Sequence, residues 1–320
     1  MRYQVPVDAG GLTLGKFLYG RLKLSNTLVR RAKNAGGLLV DGQPARVGDR
    51  LAGGEEVEIR VAAAERVAPE PVPLTLVFAD AYLLVVDKPP GMVVHPVKGY
   101  TSGTLANGVA YHLQERGEAA VVRPVLRIDR DTSGLVLFAK DPVVAQRLAR
   151  ELGKQKLERR YIGFVAGVVE PAEGMVDLPI RRVWGHPVAR EVALGPRTPD
   201  QEALLAAAEA QGRVLQAEWT AGGQRAVTHW EVTARWQAAT LLTLRLETGR
   251  THQIRVHMAH TGHPLLGDEM YGDGGPPGRQ ALHAATLAFT HPMTGESLRF
   301  ESPLPPDLAD LAERLTITSS

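Results

Sequence analysis

The chain of 320 residues carries 37 Lys and Arg against 35 Asp and Glu, so its formal net charge is only +2 at pH 7. Hydrophobic residues make up 44% and charged residues 22%, which are ordinary values for a globular protein. No run approaches the roughly 18 apolar residues of a membrane helix, and the N-terminus lacks the apolar stretch of a secretory signal. The absence of cysteine excludes disulfides and thiolate metal sites. We therefore expect a cytoplasmic protein that does not enter a membrane.

Residues 1–65 are predicted to form a small basic domain. Periodic apolar residues predict two helices, the second of which begins after the N-cap candidate Ser25. Leu38–Val40 predicts a strand, and Asp41-Gly42 a tight hairpin turn. An acid-free stretch in the helices contains six cations, namely Lys16, Arg21, Lys23, Arg30, Arg31 and Lys33. A one-sided basic stripe is typical of a nucleic-acid-binding surface, although a solvated helix face has the same composition.

A proline-rich segment, residues 66–75, is predicted to be an extended linker, because three of its residues are prolines at alternate positions. The remaining residues, 76–320, form the second and larger predicted domain. Within it, residues 194–218 include an alanine-rich stretch that predicts an inserted surface helix, for which the sequence suggests no function.

The most informative stretch of the larger domain is Arg127-Ile128-Asp129-Arg130-Asp131-Thr132-Ser133-Gly134. Apolar segments flank it on both sides, so it reads as a strand, a loop and a second strand. Its two acids and two arginines cannot all be buried cheaply, so some of them face a cleft or solvent. The alternative is a purely structural turn, since Asp, Thr, Ser and Gly are common turn residues.

Three further motifs accompany this stretch, which are Lys88-Pro89-Pro90-Gly91-Met92-Val93-Val94-His95-Pro96, Arg159-Arg160-Tyr161 and Thr248-Gly249-Arg250-Thr251-His252-Gln253-Ile254-Arg255-Val256-His257. In this order, from about Leu76 to Pro305, they resemble the motifs of the RluA family of RNA pseudouridine synthases. The resemblance implies an α+β fold with a mixed, mainly antiparallel central sheet, flanking helices and loops, and a small N-terminal α/β RNA-binding domain. It also implies isomerisation of uridine to pseudouridine without a cofactor.

The resemblance assigns a role to three residues. The essential aspartate of the family falls on Asp129, its companion arginine on Arg255, and its uracil-stacking tyrosine, which could also take the C5 proton, on Tyr161. An adjacent cation lowers the pKa of a carboxylate and offsets the cost of burying its charge. Whether Asp129 attacks the sugar or the uracil ring is open. RNA contacts within this domain are expected from Arg127, Lys88, His95, Arg250 and His252.

Three local expectations accompany this assignment. Asp131 is left as a turn acid that bonds to the backbone of residues 132–134. Thr251 is expected to cap a helix on which His252 and Arg255 share a face. Leu126 stands where the family usually has histidine, so an RNA contact made there in relatives is lost or is made elsewhere.

Several other readings remain open. Four histidines crowd residues 252–263, but their spacing is not a recognised ligand pattern and no glutamate adjoins them, so we expect no metal. A glycosidase would use Asp129 with Asp131 as paired carboxylates. A non-catalytic RNA-binding ribosome assembly factor would need only the basic domain. Because that domain precedes the larger one, we expect a monomer acting on large-subunit ribosomal RNA, with transfer RNA as the alternative substrate.

Overall fold

The computed structural model describes residues 2–22, 24, 26–60, 67–97, 99–118, 122–193 and 223–317. The predicted inserted helix over 194–218 lies outside the described residues, as do Ser25 and Lys23, and the side chain of Arg31 is not described either. Within the described ranges, no helix is both long enough and apolar enough to cross a membrane.

The N-terminal residues form a four-stranded antiparallel sheet with its own apolar core. Its strands are β1 (Arg2–Gln4), β2 (Leu38–Val40), β3 (Gln43–Pro44) and β4 (Glu56–Ile59), in the order β1-β4-β2-β3. Helix α1 (Leu14–Lys16) continues as a π-helical turn (Phe17–Arg21), and α2 (Asn26–Asn34) follows. Asp41 and Gly42 have φ values of 47° and 76°, which two-residue hairpins of type I′ require. Phe17, Leu18, Val29 and Val57 are among the residues of the core.

The rest of the described chain is built on a ten-stranded sheet. Its order is β10-β13-β14-β9-β15-β8-β6-β5, with β16 beside β15 and β7 beside β8. Among the described strands only β8 and β15 pair in parallel, so the expected mixed, mainly antiparallel sheet is confirmed. The strands are β5 (Thr75–Ala79), β6 (Leu83–Lys88), β7 (Arg123–Pro124), β8 (Ser133–Ala139), β9 (Glu158–Ala166), β10 (Glu173–Asp177), β13 (Val227–Arg235), β14 (Ala239–Leu246), β15 (Leu282–Thr290) and β16 (Ser297–Glu301). A separate hairpin consists of β11 (Ile180–Arg182) and β12 (Arg190–Val192).

Among the described residues, four helices pack against this sheet or its edges: α3 (Leu105–Glu115), α4 (Pro142–Gly153), α5 (Gln253–His260) and α6 (Pro306–Ile317). Strand β8 is buried along its whole length because helices cover both of its faces. Leu135 and Leu137 pack with α4 on one face, and Val136 and Phe138 pack with α3 on the other. This alternation follows from the two-residue repeat of a strand. Asp141 caps α4, as its position before Pro142 indicates.

The proline-rich segment is extended, but it does not hang free. Glu70 accepts hydrogen bonds from Gly103 N (2.7 Å) and from Asn107 Nδ2 (3.1 Å), at the start of α3. Val67 and Leu74 pack against the apolar cluster beneath α3. Prolines have no backbone N–H to donate, but the carboxylate of Glu70 and the apolar side chains on either side of the prolines still contact the region of α3. Residues 67–74 are therefore part of the larger unit rather than a free tether.

Candidate active site

The loop between β7 and β8, residues 125–132, lines a cleft of about 960 Å³. Gly134 follows it at the parallel junction of β8 with β15, with φ of 109°. A Cβ at Gly134 would lie 2.3 Å from Ala284 O, so both the φ value and the close approach require glycine. The C-terminal end of the loop is thereby fixed against β15.

Lys88 holds the same loop from beneath. Its side chain is fully buried, and Nζ donates to Arg130 O at 2.7 Å and to Pro89 O at 2.8 Å. Burial lowers the pKa of Lys88 to about 7, although Asp131 and Asp129 oppose the shift. The expectation that Lys88 contacts RNA is wrong for this structure, because the ammonium group is enclosed. Its contacts instead position the loop.

Asp129 lies at the cleft beside a buried ion pair. Arg255, on α5, has Nη1 3.6 Å from Asp129 Oδ2. The Nε/Nη2 edge of its guanidinium donates two hydrogen bonds to Asp268, with Nε–Oδ2 at 2.7 Å and Nη2–Oδ1 at 2.8 Å. Burial opposes the charge of Arg255, but Asp268 and Asp129 more than compensate and raise its pKa. The arginine is therefore permanently charged and aimed at Asp129.

Tyr271 completes the support of this arginine. The Arg255 guanidinium lies over its ring, 5.0 Å from the centroid. The Tyr271 hydroxyl lies 2.8 Å from His252 Nδ1 and accepts a hydrogen bond from the backbone N–H of Arg190 at 2.8 Å. Burial raises the pKa of Tyr271 to about 12 and lowers the pKa of His252, so both groups are neutral near pH 7.

Helix α5 begins differently from the expectation. His252, not Thr251, occupies the N-cap position, and its φ of 57° is left-handed. A non-glycine residue in this region is strained, and such residues cluster at functional sites. The cap places His252 and Arg255 at the cleft together, as their spacing predicts.

Tyr161 forms the inner end of the site. It lies on β9, is 6% exposed, and lines a cavity of about 50 Å³ together with Asp129 and Arg255. Burial, with a further contribution from Asp129, raises the pKa of the phenol. Arg159, two residues earlier on the same face of the strand, lines the same cavity and is 7% exposed. A carboxylate, an aromatic ring and four arginines (Arg127, Arg159, Arg250 and Arg255) thus line one small space.

A family model described as RNA pseudouridylate synthase matches residues 82–260. The chain belongs to this family. The RNA pseudouridine synthase YlyB of Bacillus subtilis, described as uncharacterised, is 38% identical over 302 residues, covering 91% of this chain and 89% of the relative. Ribosomal large subunit pseudouridine synthase D of Pasteurella multocida is 37% identical over 315 residues, covering 93% and 87%. The protein is therefore an isomerase that converts uridine to pseudouridine in RNA.

Solved structures agree with this fold. Human RNA Pseudouridylate Synthase Domain Containing 4 superimposes with a TM-score of 0.58 at 22% identity, covering 75% of this chain and 92% of the human chain. Human RNA Pseudouridylate Synthase Domain Containing 1 gives a TM-score of 0.54 at 20% identity, covering 77% and 96%. The expected pseudouridine synthase fold is confirmed.

The expected RNA contacts of this pseudouridine synthase fall into two groups. Arg127, His95, Arg250 and His252 line the cleft, and both arginines are exposed. Burial, with Arg127 nearby, lowers the pKa of His95. The second group lies among the N-terminal residues, and those of its side chains that the structure describes are exposed: Lys16, Arg21, Arg30 and Lys33.

Two further positions in the loop of this pseudouridine synthase, Asp131 and Leu126, had their own expectations. Asp131 does not bond to the backbone of residues 132–134; its carboxylate accepts from Arg130 Nε at 2.9 Å, because the adjacent guanidinium is a stronger donor. Leu126 is 5% exposed and packs into the apolar cluster beneath α4. Its side chain therefore contributes to the core at this point of the loop.

The sequence interpretation missed three residues of this site, Asp268, Tyr271 and Arg159. A signal existed for Asp268, because it follows Pro264-Leu265-Leu266-Gly267, and an acid within an apolar stretch needs a cationic partner. Nothing in the spacing of the chain indicates that this partner is Arg255. Tyr271 carries no local signal beyond its residue type, whereas Arg159 stands in the motif Arg159-Arg160-Tyr161 but was given no role there.

Two of the crowded histidines, His257 and His263, hold parts of the fold together. His257 is buried, with Nδ1 2.9 Å from Thr228 Oγ1 and Nε2 3.0 Å from Leu178 O. His263 Nδ1 lies 2.9 Å from Ala166 O. Within the described part of the chain, no three His, Asp or Glu side chains are grouped as metal ligands.

Proposed function

We propose that this pseudouridine synthase acts on large-subunit ribosomal RNA, with Asp129 as its nucleophile, Arg255 as the cation that accompanies the Asp129 carboxylate, and Tyr161 as the platform for the target uracil. The observation that carries the assignment is the direction of Arg255. Its Nε and Nη2 are occupied by Asp268, whereas Nη1 faces Asp129 at 3.6 Å. A fixed positive charge beside a carboxylate offsets the cost of holding its negative charge in a partly closed site, and the carboxylate is the nucleophilic group.

The reaction moves one bond and one proton. The C1′–N1 bond of uridine breaks, the uracil turns over, and a C1′–C5 bond forms. The proton on C5 leaves and N1 is protonated, so the product is an isomer of the substrate. An Asp129 carboxylate could attack either C1′ or C6, and the neighbouring Arg255 would serve both routes.

Tyr161 is assigned to binding rather than to proton transfer from C5. Burial raises the pKa of its phenol, so the group is protonated at pH 7 and cannot act as a base without first ionising. Its ring, next to Asp129, offers a face to a base that has left its stack. The cavity beside it is small, so the uracil would also occupy part of the larger cleft.

Several observations support the substrate and the setting. A 37% identical relative is named a ribosomal large subunit pseudouridine synthase, and the exposed cations of α2 suit a nucleic-acid backbone. Asp129, Tyr161, Arg255 and Asp268 belong to one chain, which agrees with the proposal of a monomer. With ribosomal RNA as substrate, the place of action would be the cytoplasm.

The experiment is tritium release from RNA labelled at uracil C5. With large-subunit ribosomal RNA, Asp129→Asn should lower turnover at least about a thousandfold, the scale of a deleted catalytic group. The matched control is Asp131→Asn, whose carboxylate pairs with the half-exposed Arg130 and should cost little activity. An inactive but folded Asp131→Asn beside an active Asp129→Asn would overturn the assignment. Release from transfer RNA alone would overturn the proposed substrate.

A further inference from the structure

A second, smaller pocket adjoins the cleft and has an unusual lining. Its volume is about 100 Å³, and the described residues around it include no acid. Five arginines line it, which are Arg127, Arg181, Arg182, Arg190 and Arg250. We refer to it as the arginine pocket. Guanidinium groups gathered around one space favour the binding of an anion there.

The hairpin β11–β12 creates much of this concentration of charge. In its register Arg182 lies opposite Arg190, and like charges directly opposite each other destabilise a strand pair. The neighbouring pair is complementary, because Arg181 lies opposite Glu191 and their side chains meet at 2.8 Å. The hairpin therefore pairs Arg181 with Glu191 and brings Arg182 and Arg190 to the same edge of the pocket.

Burial makes the pocket selective for an acceptor. Arg190 is 8% exposed, and the side chain of Arg181 is 18% exposed. Nη1 of Arg181 is buried and has no hydrogen-bond partner among the described residues. A buried N–H without an acceptor is costly, and a guanidinium has only donors to offer. A phosphate oxygen would satisfy it, since the planar guanidinium fork matches phosphate geometry.

The position of the pocket identifies the source of the phosphate. Arg127, Gly249 and Arg250 line the arginine pocket, the cleft and the Tyr161 cavity alike. The hairpin also contacts Tyr271, on whose ring Arg255 lies, because the backbone N–H of Arg190 donates to the Tyr271 hydroxyl. An anion bound here would therefore lie beside the nucleotide whose base enters the site.

We propose that the arginine pocket binds one backbone phosphate of the RNA strand that carries the target uridine. This rests on the RNA substrate of the proposed function, but not on which RNA it is. A bound phosphodiester would fix the strand relative to Asp129 while the base leaves its stack. Arg181, Arg182 and Arg190 are thus positioning residues.

The test compares Arg182→Gln and Arg182→Lys with Arg299→Gln, an exposed arginine on β16 that lines none of these pockets. Affinity for a short uridine-containing RNA is titrated at several salt concentrations. Losing one phosphate contact should reduce the slope of log affinity against log salt by about 0.7. Arg182→Gln should bind roughly tenfold more weakly and raise KM more than it lowers kcat. Arg182→Lys should keep the slope, and Arg299→Gln should behave as wild type.

A second experiment, with chemically modified RNA, identifies which phosphate is bound. RNAs with a single uncharged methylphosphonate linkage, moved stepwise past the uridine, should reveal one linkage that weakens binding to the wild type but hardly to Arg182→Gln. If no linkage behaves in this way, the proposal is overturned. Competition by inorganic phosphate without a sensitive linkage would show that the pocket takes free phosphate instead. A sensitive linkage without pseudouridine formation in ribosomal RNA would leave the phosphate site standing and overturn the proposed substrate.

Discussion

Asp268→Asn tests how strongly the buried ion pair determines the site. Oδ2 of Asp268 accepts from Arg255 Nε, while Oδ1 accepts from Arg255 Nη2 and from the backbone N–H groups of Met270 and Tyr271. Either orientation of an asparagine amide would set an N–H against another donor. Breaking a buried pair by neutralising one partner costs about 3–5 kcal/mol. We expect Asp268→Asn to lose this much of the free energy of unfolding, and to lose activity as Arg255 shifts.

A second ion pair, between Arg279 and Asp307, provides a matched control. Arg279 holds Asp307 through the same atoms, Nε–Oδ2 at 2.7 Å and Nη2–Oδ1 at 3.1 Å, but the Asp307 side chain is 35% exposed. Because solvent screens this pair, Asp307→Asn should cost about 1 kcal/mol or less. Urea unfolding of both variants at pH 7 gives the comparison. Equal losses would refute the argument from burial.

The pH dependence provides a second check. Asp268 has a folded-state pKa below its ordinary value of 3.8, because the bonds and charge of Arg255 outweigh the opposing effect of burial. Its contribution to stability is therefore complete above the unfolded pKa and is lost as pH falls through the folded pKa. The gap between wild type and Asp268→Asn should stay constant from about pH 7 to 5 and shrink only below about pH 4. A gap that closes between pH 7 and 5 would contradict the assigned pKa direction.

Three further predictions concern single features of the site and the surface. Tyr161→Phe should keep RNA affinity, whereas Tyr161→Ala should lose roughly 1–3 kcal/mol of base stacking in a binding titration, and unchanged binding by the alanine variant would remove the ring from the site. Lys88 has a folded-state pKa of about 7 against an ordinary 10.5, so between these values the unfolded chain binds more protons and stability rises with pH. Relative to Lys88→Met, wild type should gain up to about 1.4 kcal/mol per pH unit from pH 7 to 9 in denaturant unfolding, and parallel curves would contradict the burial of the charge. Replacing Arg30 and Lys33 by glutamine should flatten the salt dependence of RNA binding by about 0.7 per lost phosphate contact, and an unchanged slope would show that α2 does not touch RNA.

Local signals predicted local structure well. The Asp41-Gly42 turn and the Asp141 cap depend on neighbouring residues alone, and both occur where the sequence indicates. The burial of Lys88 was not predictable in this way. Its carbonyl partner on Arg130 is 42 residues away, so a lysine beside two prolines looks the same whether it faces solvent or a loop.

The site shows the same division between residue type and geometry. The motifs selected Asp129, Tyr161 and Arg255, and the structure brings these three together at one cavity. The partner of Arg255 could not be deduced, because Asp268 reaches it only after the chain turns back from α5. The arginine pocket depends on a cross-strand register that no periodicity in residues 180–192 encodes.

The junction of β8 with β15 also has a consequence for how the protein is made. Ser133 Oγ lies 2.9 Å from His283 Nδ1, across 150 residues of chain, and Ser302 Oγ donates to Asp87 across 215. Contacts this distant form late, because the loops that close them lose much entropy first. The N-terminal sheet, by contrast, is closed by pairings within residues 2–59. During synthesis of the chain, the N-terminal sheet and its basic helices are therefore expected to fold before the site around Asp129 is assembled.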